Sequence, residues 1–453
     1  MREKERFGSR TAVIFAMAGS AIGLGNIWRF PYMVGEHGGA VFVISYIVAT
    51  LLVSLPVFIA EVTLGRRSRT SAFGAMSKMD PAHHKVWRWA GLLSIVIPMI
   101  ILCYYSVIGG WSVEYFVKSC GMTFVKTALE EVSGLFAPFV SSAWTPVVMH
   151  LVFLTACVGV VAGGVKSGIE KFSKVSLPVL FVLIIFILGY SVALPGAGAG
   201  VRYLLHPDWS ELTPRTFAYA MGQSFFSLSL GMGAIITYGS YVSKRENILV
   251  TSSGTAVSDL LFAILAGFAI MPAVFAAGIE PGAGPGLIFQ TVPYVFSKMA
   301  ADLPVLSGAV SIIFFLAIIV AAMTSLISLV EVGVSFLMER KGLSRGRACL
   351  VVFAICGTLG TLCSLSFGPL ANATVAGMSI FDLLDWVCSN ILLLVMALLA
   401  VIFVGWILPK RVVRDEFTNG GSVNGRVFPV VYFLIKWVAP IAVVIIFFTN
   451  FIL

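Results

Sequence analysis

Apolar runs bounded by polar residues, proline or glycine recur at 11–35, 40–65, 88–118, 146–164, 172–195, 214–242, 250–278, 304–338, 346–367, 376–409 and 428–452. A helix crossing about 30 Å of hydrocarbon needs roughly 20 such residues, so the pattern predicts eleven membrane-spanning helices. Two runs are interrupted in the same manner. The first contains Ala-Gly-Ser-Ala-Ile-Gly-Leu-Gly-Asn at 18–26, followed by Arg29 and Pro31; the sixth contains Ser-Leu-Ser-Leu-Gly-Met-Gly at 227–233. Glycine lowers the cost of leaving helical geometry. A single stretch of small residues also suits close helix packing. Two such stretches at matching places favour irregular backbone around a cavity, the one setting in which it survives at membrane depth. The chain therefore reads as two five-span halves whose first helices are broken, the pattern of an inverted-repeat secondary transporter with a midplane site.

Composition agrees: 59% of residues are hydrophobic and 11% charged, against about 25% charged in soluble domains. The mean hydropathy of +0.99 excludes soluble, disordered, collagenous and disulfide-rich secreted chains. The net charge of +9 takes its meaning from placement. With the N-terminus inside, 23 basic residues fall on internal connections and 5 on external ones, Arg29 and Lys436 lying within spans. The positive-inside rule then orients a multi-pass protein with its N-terminus cytoplasmic and C-terminus external, and the plasma (inner) membrane is its expected location. The first run is too long and too polar at its middle for a cleaved signal peptide. Seven Cys and five His show no metal-like spacing, and no disulfide framework is expected.

The stretch MAGSAIGLGNIWRFPY (17–32) resembles the first-helix signature of the neurotransmitter:sodium symporter family, and QSFFSLSLGMGAIITYGSYV (223–242) resembles its sixth-helix signature. The resemblance covers essentially the whole chain, apart from the twelfth span that many members carry. It implies an all-α integral membrane protein of LeuT-like fold: a 5+5 inverted repeat with unwound helices 1 and 6 and eleven transmembrane helices. The expected division is 1–200 (N-terminal latch and first repeat), 201–412 (inverted second repeat) and 413–453 (loop and eleventh helix).

Unwound backbone turns carbonyls toward cations and amides toward anions. Sodium, a hard cation, prefers oxygen ligands. In the eighth span Ala321, Thr324, Ser325 and Ser328 recur at i, i+3, i+4 and i+7, a polar stripe on an apolar helix. Hydroxyls there also bond back to carbonyls one turn earlier, the bland alternative. The resemblance implies two sodium sites. One uses carbonyls of Gly19, Ile22 and Ala321 with the hydroxyls of Thr324 and Ser325. The other uses the Ala21 carbonyl, Asn26, Ser227, a seventh-span oxygen and the substrate's carboxylate. That oxygen is Asp259 or Ser258, with Asp259 favoured because a bare intramembrane carboxylate is expensive without a cation. Chloride-dependent relatives carry a Ser about one turn further on, where this chain has Phe262 and Ala263. No chloride requirement is expected, Asp259 supplying the negative charge.

Amine-transporting relatives carry Asp at the position of Gly23, so the substrate is expected to bring its own carboxylate. The amides of Leu24 and Gly25 and the Tyr105 hydroxyl would hold it. Carbonyls around Ala21, Phe226 and Ser229 would accept from its amino group. Ile101, Phe226, Met232, Ser325 and Leu329 would face the side chain. None is charged, so a neutral, hydrophobic L-amino acid is the expected cargo, and adaptable Met232 admits aromatic ones. Arg29 and Asp385 resemble an external gate. Arg2, Lys4 or Arg6 with Phe7, Tyr241 and Glu339 resemble an internal latch, and Glu331 stands where the leucine-selective relative has Gln. Glu61 and Gln223 are further intramembrane polar groups, suited equally to interhelical bonding or to function. An intramembrane aspartyl protease using Asp259 and Asp385, a channel, and a non-transporting amino-acid sensor are the competing classes. The expected activity is sodium-coupled symport by alternating access, with no enzymatic function and no nucleic-acid partner.

Overall fold

The computed structural model describes residues 6–278, 288–300 and 303–452. Eleven spans follow one another: α1 (Arg10–Ala21 and Gly25–Glu36), α2 (Ala40–Ser68), α3 (Pro81–Cys120), α4 (Thr145–Ala162) and α5 (Val165–Val192). Then come α6 (Pro214–Ser227 and Ala234–Gly239), α7 (Ile248–Ala276), α8 (Pro304–Lys341), α9 (Arg345–Leu365), α10 (Ile380–Ile407) and α11 (Phe428–Thr449). All eleven apolar runs of the sequence have become helices, and no β-strand occurs among the described residues.

Local chemistry sets several helix starts. Ser9 Oγ accepts from Ala12 N at the head of α1, Thr213 Oγ1 from Thr216 N before α6, and Asn247 Oδ1 from Val250 N before α7. Each side chain satisfies an orphan first-turn amide. Pro214 follows its cap at the first helical position, where its missing N–H costs nothing. α8 stops at Gly342, whose φ of +64° is left-handed.

The two broken helices depart from the sequence expectation only in extent. In α1 the helix persists to Ala21 and gives way at Ile22–Leu24, with a bend of 53°. In α6 the gap is 228–233, where Ser229, Gly231 and Gly233 have φ of +54°, +75° and +69°. A Cβ on Gly231 would lie 2.3 Å from the Leu393 carbonyl, and one on Gly233 2.4 Å from that of Ser94. Both φ and space demand glycine there.

The spans sort into two packed groups. α1, α2, α6 and α7 lie against one another, and α3, α4, α8 and α9 form the second group. α5 bridges α7 and α8, while α10 and α11 pair at the periphery beside α2 and α6. The breaks of α1 and α6 face α3 and α8 at the seam. The end of the molecule bearing Arg66, Arg345 and Lys410 is called the basic face below, and its opposite the far face.

Candidate functional site

Breaking two helices at membrane depth strands backbone groups, and side chains from neighbouring spans take them up. Glu61 Oε1 on α2 accepts from Gly231 N at 2.7 Å. Gln223 Nε2 on α6 donates to the Gly25 carbonyl at 3.1 Å. Ser229 Oγ donates to the Ser20 carbonyl at 2.8 Å. Thus the two breaks are stitched to each other, and Glu61 and Gln223 are interhelical ties.

Between α1 and α8 an oxygen cluster forms. Thr324 Oγ1 lies 2.9 Å from the Ile22 carbonyl and 2.7 Å from that of Ala321. Gly19 borders the same wall: a Cβ there would stand 3.7 Å from Thr324 Cβ and 3.4 Å from Ser173 Oγ. Ser325 turns away, its Oγ donating to the Ser20 carbonyl at 3.1 Å. Three of the five oxygens expected of this site, those of Ile22, Ala321 and Thr324, therefore converge, and Ser325 faces the neighbouring pocket.

A second cluster surrounds Asp259, which is wholly buried on α7. Asn26 Nδ2 donates to its Oδ1 at 2.8 Å and to Ser227 Oγ at 2.9 Å. Ser227 Oγ in turn reaches both carboxylate oxygens, at 2.8 and 2.9 Å. Asn26 Oδ1 accepts from Gly23 N inside the α1 break. Of the two seventh-span candidates only Asp259 is here, because Ser258 Oγ bonds back to the Gly254 carbonyl on its own helix. Tyr46 completes the shell, its hydroxyl 3.2 Å from Asp259 Oδ2. Sequence reasoning passed over Tyr46; the available signal was a phenol inside an apolar span, which needs a partner. No Lys, Arg or His pairs with Asp259 among the described residues.

Ala21, Gly23, Gly25, Ile101, Tyr105, Phe226, Ser227, Ser229, Met232, Ser325 and Leu329 line one small cavity between these clusters. Of the expected substrate residues only Leu24 is not in its wall; it takes part through its backbone, Leu24 N donating to Tyr105 Oη at 2.9 Å. The free volume is about 20 Å³, room for one water. An amino acid therefore enters only if walls move. Gly23 fits its place tightly, since a Cβ would stand 2.1 Å from Ser325 Oγ and 3.2 Å from the Tyr105 hydroxyl.

Toward the far face lies a larger cavity of about 230 Å³, lined by Arg29, Tyr32, Tyr104, Phe381 and Asp385 among others. Gly25, Tyr105 and Phe226 border both cavities, so the Phe226 ring is the septum between them. The Arg29 guanidinium stands 4.9 Å over that ring, and Asp385 Oδ1 accepts from Ser389 Oγ. Arg29 and Asp385 face one cavity without an ion pair drawn between them among the described residues.

The basic face is closed by several ties. Phe7 N donates to the Tyr241 carbonyl, and the Phe7 ring meets Tyr238 and Tyr241 edge-on. Tyr241 Oη donates to Glu331 Oε1 at 2.6 Å, and Arg345 Nη1 to Glu331 Oε2 at 2.7 Å. Glu339 Oε2 accepts from Ser71 N at 2.6 Å. Arg66, buried, binds Glu416 Oε2 at 2.9 Å, the Glu416 carbonyl, and the Glu246 carbonyl at 2.7 Å. Arg2 and Lys4 lie outside the described residues. The Arg345 and Arg66 contacts have no counterpart in the sequence reading: Glu416 lies 350 positions from Arg66, and Glu331, only 14 from Arg345, is on the preceding span.

A family model described as the sodium:neurotransmitter symporter family matches residues 4–133 and 137–453. An uncharacterized sodium-dependent transporter of Bacillus subtilis is 35% identical over 98% of this chain and 96% of its own length. One from Haemophilus influenzae is 33% identical over 99% and 98%. The crystal structure of MhsT in complex with L-phenylalanine superposes with a TM-score of 0.90 at 38% identity, covering 99% of this chain and 100% of MhsT. With the signature stretches of α1 and α6 forming the paired breaks, and with these matches running nearly end to end, the chain belongs to the sodium:neurotransmitter symporter family.

Proposed function

We infer that this symporter imports a neutral, hydrophobic L-amino acid, aromatic ones included, in company with two sodium ions and without chloride. The observation carrying the reading is the uncharged pocket between the breaks, bordered on one side by Thr324, Ile22 and Ala321 and on the other by Asn26, Ser227 and Asp259. The MhsT complex with L-phenylalanine supports the substrate class.

In this mechanism one ion sits among the carbonyls of Gly19, Ile22 and Ala321 and the hydroxyls of Thr324 and Ser325. Ser325 reaches it by releasing the Ser20 carbonyl. The other sits among the Ala21 carbonyl, Asn26, Ser227 and Asp259, and the substrate carboxylate completes its shell. Each ligand then raises the other's affinity by the same factor, which is the thermodynamic content of coupling. The amides of Leu24 and Gly25 and the Tyr105 hydroxyl hold the substrate carboxylate. Ala21, Phe226 and Ser229 offer carbonyls to its ammonium, while Ile101, Met232, Ser325 and Leu329 take the side chain. Arg29 and Asp385 close over Phe226 from the far face, which is external. Tyr241 and Glu339 belong to the latch on the basic, cytoplasmic face. Residues 1–200 and 201–412 are the two repeats that exchange access, with 413–453 added at the periphery.

Proteoliposomes with an imposed inward sodium gradient test the reading. Labelled phenylalanine, leucine or tryptophan should accumulate equally in chloride and gluconate media, and excess aspartate or lysine should not compete. Binding without accumulation would make the chain a sensor; uptake lost in gluconate would overturn the role given to Asp259.

A further inference from the structure

One groove on the basic face serves none of the parts described so far. It lies where the loop between α2 and α3 meets the end of α10, encloses about 580 Å³, and is lined by Met79, Asp80, Val86, Trp87, Trp406 and Ile407 among others. That volume falls within the range of small-ligand sites. Its walls are mostly apolar and open, Val86 being 62% and Trp406 49% exposed. Trp87 and Trp406 line the groove, and the Trp406 ring meets that of Trp437 edge-on at 4.5 Å, aromatic side chains of the kind that form membrane belts. An acyl chain fits such walls.

Charge then selects the head group. Lys436 lies about two turns inside α11 among apolar neighbours. Its Nζ stands 4.6 Å from the Trp406 ring and 5.8 Å from Trp437, and no carboxylate pairs with it among the described residues. Lys410 Nζ stands 5.4 Å from the ring of Tyr432, one helical turn before Lys436. Lys85, Arg88 and Arg411 are exposed beside the lining residues. The carboxylate in the groove, Asp80, is already engaged by Trp87 Nε1 at 2.9 Å and His83 Nδ1 at 3.0 Å. A cation held in the bilayer region without a counter-charge is expensive, and an anionic lipid phosphate at the interface relieves it.

We propose that this groove binds one anionic phospholipid from the leaflet on the basic face. The phosphodiester meets Lys436 and Lys410, and an acyl chain lies along Val86, Trp87 and Trp406. Occupancy ties the α10–α11 corner to the loop between α2 and α3.

The full-length protein in nanodiscs of mixed phosphatidylglycerol and phosphatidylcholine, analysed by native mass spectrometry, tests this. One phosphatidylglycerol should stay bound preferentially, Lys436→Arg should keep it, and Lys436→Gln and Lys410→Gln should each weaken retention about fivefold. A second measurement needs no lysine variant. Brominated phosphatidylglycerol should quench the Trp406 emission (wild type minus Trp406→Phe) more than brominated phosphatidylcholine does. Equal retention of the two lipids, or equal quenching, would reduce the groove to ordinary lipid annulus and overturn the proposal.

Discussion

At the scale of single residues, the pocket is governed by what is missing from Gly23. A Cβ there meets Ser325 Oγ at 2.1 Å, so Gly23→Ala must push that hydroxyl off the Ser20 carbonyl. The expected result is a substrate affinity lowered roughly tenfold, because the added methyl overfills the pocket wall and forces Ser325 out of place. Ser325→Ala in the same chain should restore part of it, and competition binding of labelled phenylalanine reads both. A Gly23→Ala chain that binds as well as wild type would remove Gly23 from the pocket wall. Asp259 gives a second test. It is the acidic member of a cluster otherwise made of Asn26, Ser227 and Tyr46, so Asp259→Asn removes the carboxylate proposed above to face a sodium ion. Interactions with a charged group are worth about 1.5–3 kcal/mol, hence sodium affinity should fall by roughly tenfold or more. Thr324→Ala, removing one neutral hydroxyl worth about 1 kcal/mol, should cost less. Sodium titration of substrate binding separates the two. Equal losses would contradict the ranking.

At the scale of elements, the sequence made the breaks legible because their cause is local. The glycines at 231 and 233 take left-handed φ, and runs of Gly and Ser advertise such backbone directly. The Thr324–Ser325 stripe was equally plain, being a helical period in a single span. The partners that make the breaks tolerable were not. Glu61 meets Gly231 across 170 positions, and Tyr46 meets Asp259 across 213. No periodicity carries such pairings; only packing of spans brings them together. The far-face clasp of α1 on α6 is another case. His37, half-buried just beyond α1, stacks on Tyr219 with ring centroids 4.4 Å apart and nearly parallel planes. Burial first, then the charge of Arg215, holds its imidazole below its ordinary value. The unfolded segment binds the proton more readily than the folded one, so stability rises with pH through the window below about 6.5 and is lost on acidification. Hydrogen exchange at the α1 amides of Met33–Glu36 should therefore quicken, beyond the intrinsic pH effect, between pH 7 and 5. His37→Phe, which keeps the stack and discards the titration, should flatten that dependence. An unchanged slope in the variant would remove His37 as its source.

At the scale of the whole molecule, the two ends differ in a way that sets the direction of opening. The far face holds a cavity of about 230 Å³ reaching down to Phe226, with Arg29 and Asp385 unbridged across it. The basic face is shut by contacts from α1, α6 and α8 that meet at Tyr241 and Glu331. Glu331 is buried and paired with Arg345, and a buried ion pair of this kind fixes arrangement more than it stabilises. Tyr241 follows directly on the second half of α6, whereas Glu331 and Arg345 sit on α8 and α9. If the end of α6 swings away from α8 as the basic face opens, the hydrogen bond from Tyr241 to Glu331 breaks while the Glu331–Arg345 pair stays whole. A bond to a charged acceptor contributes about 1.5–3 kcal/mol. Its loss in Tyr241→Phe should shift the population toward the open basic face on the order of tenfold. Hydrogen exchange at Phe7–Val13 and at the end of α6 should accelerate accordingly. Sodium-driven accumulation should decline through leak while equilibrium exchange persists. Arg345→Gln should do more harm, because it strands Glu331 rather than freeing a moving helix: protein yield and melting temperature should fall as well as transport. If Tyr241→Phe left exchange unaltered, the closure of the basic face would have to rest on Phe7 and the Arg66–Glu416 pair instead.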